Sequence, residues 1–144
     1  MAARIDLAVQ KGCDAVEPEN VDGYANATGI SLNAANQLDY NRFLAQQAHQ
    51  RNLAVGLKND LDQAASLVDD FDFAVNEECH EYDECNALNV FIKAGKPVFN
   101  AEYASQFVNN ASARQSLCAD ALANDFRTLV LPLDLDDSFR YSCD

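Results

Sequence analysis

The chain has 144 residues, of which 49% are hydrophobic, and this length fits about one globular domain. Its 23 acidic residues outnumber its 10 lysines and arginines, which gives a formal net charge of -13 at pH 7. This charge argues against nucleic acid or an anionic membrane surface as a partner, and no apolar run is long enough to cross a bilayer.

The first part of the chain predicts a helix, the end of a strand and a second helix. Residues 2–12 have apolar residues at helical spacing and end at Gly12, a usual residue at a helix C-terminus. Residues 15–16 predict the end of a strand, which is followed by an acidic loop. Residues 32–51 have one apolar face and predict a longer helix, with Ser31 as its N-cap.

The same alternation continues to the end of the chain. Apolar runs predict four further strands, at residues 53–57, 71–75, 97–101 and 126–133. Helices are predicted between them, at residues 61–69, 84–94 and 106–123. Short apolar strands alternating with helices are typical of a parallel sheet in an α/β protein, and no linker or second domain interrupts the pattern.

Polar residues able to do chemistry follow each of the five predicted strands. They are Glu17, Glu19 and Asp22; Lys58, Asn59 and Asp60; Asn76, Glu77 and Glu78; Asn100, Glu102 and Tyr103; and Asp134 and Asp136. A single acid after a strand is commonly a helix cap or a solvated loop residue. Because the carboxyl ends of parallel strands share one rim, the recurrence at five strands predicts an active site there.

The residue types at this rim favour glycoside hydrolysis, which needs two carboxyl groups on opposite sides of a sugar bond. Crowded carboxylates raise the pKa of at least one of them, as a general acid requires. The two histidines, His49 and His80, are expected at the surface, and no catalytic triad or phosphate-binding loop is present. The cysteines lack zinc-site spacing, so no cofactor is predicted; magnesium or calcium at the oxygen-rich rim is the alternative.

Five cysteines and two Asn-X-Ser/Thr sequons, at Asn26 and Asn110, indicate an oxidising, secreted setting. A disulfide could close the short loop between Cys79 and Cys85, and Cys118 could reach Cys143, although spacing leaves the connectivity open. The first residues are too charged for a signal peptide, which predicts that the start of a longer protein is absent.

Four segments in order resemble glycoside hydrolase family 114. They are RIDLAVQKGCDAVEPENVDGY (4–24), VGLKND (55–60), FAVNEECHEYDEC (73–85) and AGKPVFNAEY (94–103). The resemblance implies a (β/α)8 barrel of the kind found in secreted microbial and fungal enzymes. It also implies endo-acting hydrolysis of α-1,4-linked galactosamine polymers, which are cationic and suit an acidic cleft.

The resemblance further implies that Glu19 and Glu77 are the two catalytic carboxylates. Glu19 stands where relatives often have aspartate, and it would act as nucleophile or electrostatic stabiliser. Glu77 would act as general acid and base. Because glutamate reaches one methylene further than aspartate, Glu17 stays a rival for the first role.

The other predicted site residues are candidates for positioning the substrate. They are Glu17, Asp22, Lys58, Asn59, Asp60, Asn76 and Tyr103. Lys58 has a second interpretation, as a partner that keeps neighbouring acids ionised. Tyr103 likewise fits either stacking on a sugar or packing at the rim.

A complete barrel of this type takes about 250 residues, whereas residues 1–144 supply five βα units. We therefore expect a partial barrel domain that lacks the N-terminal strands and is inactive or nearly so alone. The alternative fold is a five-stranded doubly wound sheet. The alternative function is that of an inactive or non-catalytic carbohydrate-binding remnant of such a barrel.

Overall fold

The computed structural model describes residues 1–143, which form six strands and six α-helices. The strands are β1 (Ala15–Val16), β2 (Ala54–Lys58), β3 (Phe73–Glu77), β4 (Val98–Glu102), β5 (Phe126–Val130) and β6 (Tyr141–Ser142). The helices are α1 (Ala2–Gln10), α2 (Ala34–His49), α3 (Ala64–Leu67), α4 (Asn89–Lys93), α5 (Ser105–Asn109) and α6 (Ala111–Ala123). The predicted α/β alternation is confirmed. Within the described residues, no helix combines the length and apolar character needed to span a bilayer.

Three local features differ from the prediction, and two of them depend on the choice of a helix-capping side chain. The N-cap of α2 is Asn33, whose side chain accepts from the Asn36 N–H, and Ser31 is not the cap. The predicted helix at 106–123 is two helices, because the Asn110 side chain caps α6 by accepting from two backbone N–H groups. Strand β6 was not predicted.

The chain folds as two compact units, and the first comprises Met1–Ala74. Strands β1 and β2 pair in parallel, with Ala15 opposite Ala54. Helix α2 packs against β2 and α3. Leu44 and Ala48 of its predicted apolar face are buried, whereas Phe43, expected on the same face, is 42% exposed.

Gly56 in β2 has no room for a side chain, because a Cβ atom there would overlap the Phe73 ring. We expect Gly56→Ala to lower the free energy of unfolding by about 1–3 kcal/mol, the usual cost of overpacking. Urea denaturation measures this change. A Gly56→Ala/Phe73→Leu double variant should recover part of the loss, whereas a single variant as stable as the unchanged chain would contradict the close approach.

The second unit comprises Val75–Asp144. Strands β4 and β5 pair in parallel, and β6 pairs antiparallel with β5, so that Val130 lies opposite Tyr141. Disulfides join Cys79 to Cys85 and Cys118 to Cys143, which confirms the two pairings considered from the sequence.

Helix α6 and the end of the chain are held together by the second disulfide and by one arginine. The disulfide lies in a buried cluster whose other members are Phe107, Leu117 and Val130. The Arg114 guanidinium of α6 lies 5.1 Å from the Phe139 ring centroid and 4.8 Å from that of Tyr141. Cation–π contacts and a covalent link therefore both fasten β6, the strand that periodicity alone did not predict.

Candidate active site

Two of the predicted site residues meet in the first unit, where the Lys58 Nζ donates to the Glu19 Oε1 at 3.1 Å. Lys58 ends β2, and its side chain is 7% exposed, whereas the Glu19 side chain is 64% exposed. A buried ammonium group thus holds a carboxylate that substrate can reach. This ion pair supports the predicted role of Lys58 as a partner of neighbouring acids.

The loop that carries Glu19 is tied to helix α2 by buried amides. The Asn41 Nδ2 donates at 2.9 Å both to the Val21 carbonyl oxygen and to the Asp60 Oδ2. The Gln37 Nε2 in turn donates to the Asn41 Oδ1 at 2.9 Å. Neither Gln37 nor Asn41 is among the residues predicted from the sequence. The sequence could have pointed to them, because they are two amide side chains four residues apart on the otherwise apolar face of α2.

Asp60 is a buried carboxyl group that titrates near neutral pH. Burial and the negative charges of Asp22 and Asp62 together raise the pKa of Asp60 to about 7, although hydrogen bonds from Tyr24 and Asn41 oppose the shift. Burial also raises the pKa of the Tyr24 hydroxyl to about 12, with Asp60 adding to the effect. At neutral pH, Asp60 therefore exists in both protonation states.

This shift predicts a pH dependence of stability. The folded chain keeps the Asp60 proton up to a pH of about 7, whereas the ordinary pKa of the group is 3.8. The unfolded state therefore loses the proton first, and stability falls as the pH rises between these values. We expect Asp60→Asn to reduce the fall in melting temperature between pH 4 and pH 7.

Asp62→Asn is the matched control for this measurement, because Asp62 is exposed in the same segment. We expect Asp62→Asn to leave most of the slope in place. If Asp60→Asn left the pH profile of the melting temperature unchanged, the assignment of a neutral titration to Asp60 would be wrong.

In the second unit, Tyr103 follows β4 and its hydroxyl donates to the Glu77 Oε1 at 2.7 Å. Glu77 ends β3 and is half-buried. Burial raises the pKa of the Tyr103 hydroxyl, and the hydrogen bond and charge of Glu77 raise it further. Tyr103 therefore stays a hydrogen-bond donor over the whole neutral range and orients the carboxyl group of Glu77.

Asn76 precedes Glu77 in β3 and lies on the other face, because successive strand residues point to opposite sides. Its Oδ1 accepts from the Cys79 N–H at 3.1 Å and from the Asn100 Nδ2 at 3.0 Å. Asn76 is 1% exposed, so these contacts hold the segment after β3. Contact between Asn76 and substrate stays a prediction.

Glu102 belongs to the same buried polar group. Its Oε1 accepts from the His80 N–H at 2.8 Å and from the Asn100 Nδ2 at 3.1 Å, and burial raises its pKa. The expectation that His80 lies at the surface is wrong, since its side chain is 8% exposed and its Nδ1 lies 3.5 Å from the Asp120 Oδ2. This expectation failed because the disulfide loop folds inward at Cys79, which is fully buried.

The remaining predicted residues take different positions. Glu17 is exposed and lines a pocket of about 210 Å³ together with Arg4 and Ile5 of α1, whereas Glu19 pairs with Lys58. Asn59 is partly buried and adopts a left-handed conformation with φ 52°. Their roles, and the choice between Glu17 and Glu19, stay predictions.

Comparison with known proteins identifies the family. A crystal structure of Aspergillus fumigatus Ega3 in complex with galactosamine has 38% sequence identity and a TM-score of 0.89, over 99% of this chain and 59% of that chain. The glycoside hydrolase domain of PelA from Pseudomonas aeruginosa has 13% identity and a TM-score of 0.64, over 98% of this chain and 61% of that one. The second likeness bears on the fold alone. A search of curated proteins found no match.

The family assignment rests on the whole sequence. The sequence model of glycoside hydrolase family GH114 matches residues 1–144. Together with the likeness to Ega3, this match favours the barrel fold over a doubly wound sheet. The chain, which spans 59% of the Ega3 chain, therefore belongs to glycoside hydrolase family GH114 and has an α/β fold of the (β/α)-barrel type.

Proposed function

We propose that this chain carries the reacting carboxyl groups of an extracellular glycoside hydrolase that cuts α-1,4-linked galactosamine polymers internally. The observation that carries the proposal is the ion pair of Lys58 with the largely exposed carboxylate of Glu19. A glycosidase needs one carboxylate held in a fixed position beside the sugar, and the contact with a buried ammonium group at 3.1 Å provides such an anchor for Glu19.

The second carboxyl group in the proposal is Glu77. It gives a proton to the glycosidic oxygen as the bond breaks and then takes a proton from the incoming water. Glu19 meanwhile attacks the sugar carbon or stabilises its positive charge. The hydrogen bond from Tyr103 supports this assignment, because general acid catalysis depends on a fixed orientation of the donor.

Galactosamine as the sugar is supported by family membership and by charge. The relative Ega3 was crystallised with galactosamine. The net charge of -13 attracts a polymer of protonated amines and concentrates it near the protein. The two disulfides support an extracellular setting, where such a polymer would be met.

Because a partial barrel is expected to be inactive or nearly so alone, the proposal is tested with residues 1–144 in the context of a complete barrel. This protein is incubated with α-1,4-linked polygalactosamine, and product sizes are followed by mass spectrometry. Internal cleavage predicts a mixture of oligomers at the earliest times, whereas cleavage from an end predicts mostly one small product. Binding of the polymer without any product would instead favour the non-catalytic carbohydrate-binding role.

A further inference from the structure

A groove in the first unit begins at Asn20, the residue after Glu19. Its volume is about 640 Å³, and its polar and aromatic lining residues include Asn20, Asp22, Asn26, Asn36, Gln37 and Tyr40. Side-chain amides dominate this lining, and Asp22 is its one charged residue. Amides with a single carboxylate suit a polyhydroxylated ligand that carries a positive charge.

Gln37 gives the groove a fixed hydrogen-bonding group. The residue is 6% exposed, and its Nε2 is held by the Asn41 Oδ1 at 2.9 Å. This bond fixes the amide plane and turns the Oε1 toward the groove wall at Gly23, where it lies 3.6 Å from the position of a Cβ atom. A buried and pre-oriented acceptor of this kind binds a ligand hydroxyl at little entropic cost.

Tyr40 provides an aromatic surface at the same groove. The residue is 43% exposed, and its ring stacks on Phe43 with a centroid distance of 6.2 Å. Because the stack holds one face of the ring, the rest of the ring is a rigid surface for the apolar face of a sugar. Asp22 is partly buried and precedes a short 3-10 helix, Gly23–Ala25, to which its side chain makes no hydrogen bond.

We propose that this groove binds a further amino-sugar unit of the polymer, outside the pair of units whose bond is cut. Asp22 pairs with the ammonium group of that unit, Gln37 and the neighbouring amides bind its hydroxyl groups, and Tyr40 stacks on its ring. This inference rests on the proposed function for the identity of the polymer.

The experiment uses the 144-residue chain labelled with ¹⁵N, titrated with an α-1,4-linked galactosamine tetramer and, in parallel, with its N-acetylated form. We expect amide shifts within residues 20–40 and weaker binding of the uncharged tetramer. Tyr40→Ala and Asn36→Ala should each raise the Kd about tenfold, roughly 1.4 kcal/mol. Tyr40→Phe should bind as the unchanged chain does, because it keeps the ring.

Tyr82→Ala is the matched control, since Tyr82 is 63% exposed and lies in the second unit. It should leave the Kd unchanged. Asp22→Asn should abolish the preference for the charged tetramer. Thermal unfolding of each variant shows whether a weaker Kd comes from the groove or from loss of the fold.

The outcomes separate this inference from the proposed function. Shifts within residues 20–40, together with no cleavage of the polymer by the complete barrel, would support the groove and overturn the proposed hydrolase activity. Cleavage without shifts there, or a Kd that Tyr40→Ala does not change, would overturn the groove alone. Glu77→Gln should retain the groove shifts, because binding there does not use the reacting carboxyl group.

Discussion

In the context of a complete barrel, Glu77→Gln is expected to lower the rate of polygalactosamine cleavage by about 10² to 10⁴-fold, the range for loss of a general acid and base. An amide cannot give a proton to the leaving oxygen. Its carbonyl oxygen can still accept the hydrogen bond that Tyr103 donates to Glu77, so the side chain should keep its orientation. The kcat should fall while the KM changes little, because the lost interaction belongs to the transition state.

The matched control is Glu81→Gln, which makes the same chemical change at an exposed position of the same segment. It should cleave at the rate of the unchanged chain. Glu19→Gln should lose activity as severely as Glu77→Gln, and more severely than Glu17→Gln. Cleavage by a folded Glu77→Gln variant at the unchanged rate would remove Glu77 from the mechanism.

Removal of the second disulfide is expected to have the largest effect on stability. Cys118 and Cys143 are 25 residues apart, and closing a loop of that length restricts the unfolded chain by about 3–4 kcal/mol. The Cys118→Ser/Cys143→Ser variant should lose about this much free energy of unfolding, measured by urea denaturation. Hydrogen exchange should also rise at Tyr141, since β6 would lose its nearby covalent link to α6 and depend on noncovalent contacts such as its strand pairing and its stack on Arg114.

Cys13→Ser is the control, because Cys13 is an exposed free cysteine. Its stability should stay within about 0.5 kcal/mol of the unchanged chain, as is usual for surface substitutions. A double serine variant as stable as Cys13→Ser would show that the disulfide adds no constraint beyond the packing of Phe107 and Leu117 around it.

Most of the fold could be predicted from sequence because its signals are local. Five apolar runs marked five strands, and the bounds in the structure differ from the predicted ones by at most three residues. One error occurred where either of two polar residues could form the helix N-cap. Ser31 and Asn33 can both cap a helix, and backbone conformation decides for Asn33. Strand β6 has two residues, too few for a periodic pattern.

The sequence by itself determined the α/β alternation, the polar residues that follow the strands and the resemblance to the family, since each depends on residues that are close together in the chain. Only the tertiary structure decided which of these residues meet. Lys58 contacts Glu19 across 39 positions, and Tyr103 contacts Glu77 across 26. It also decided that Asp60 titrates near neutral pH, because loss of solvent around a carboxyl group depends on packing from distant parts of the chain.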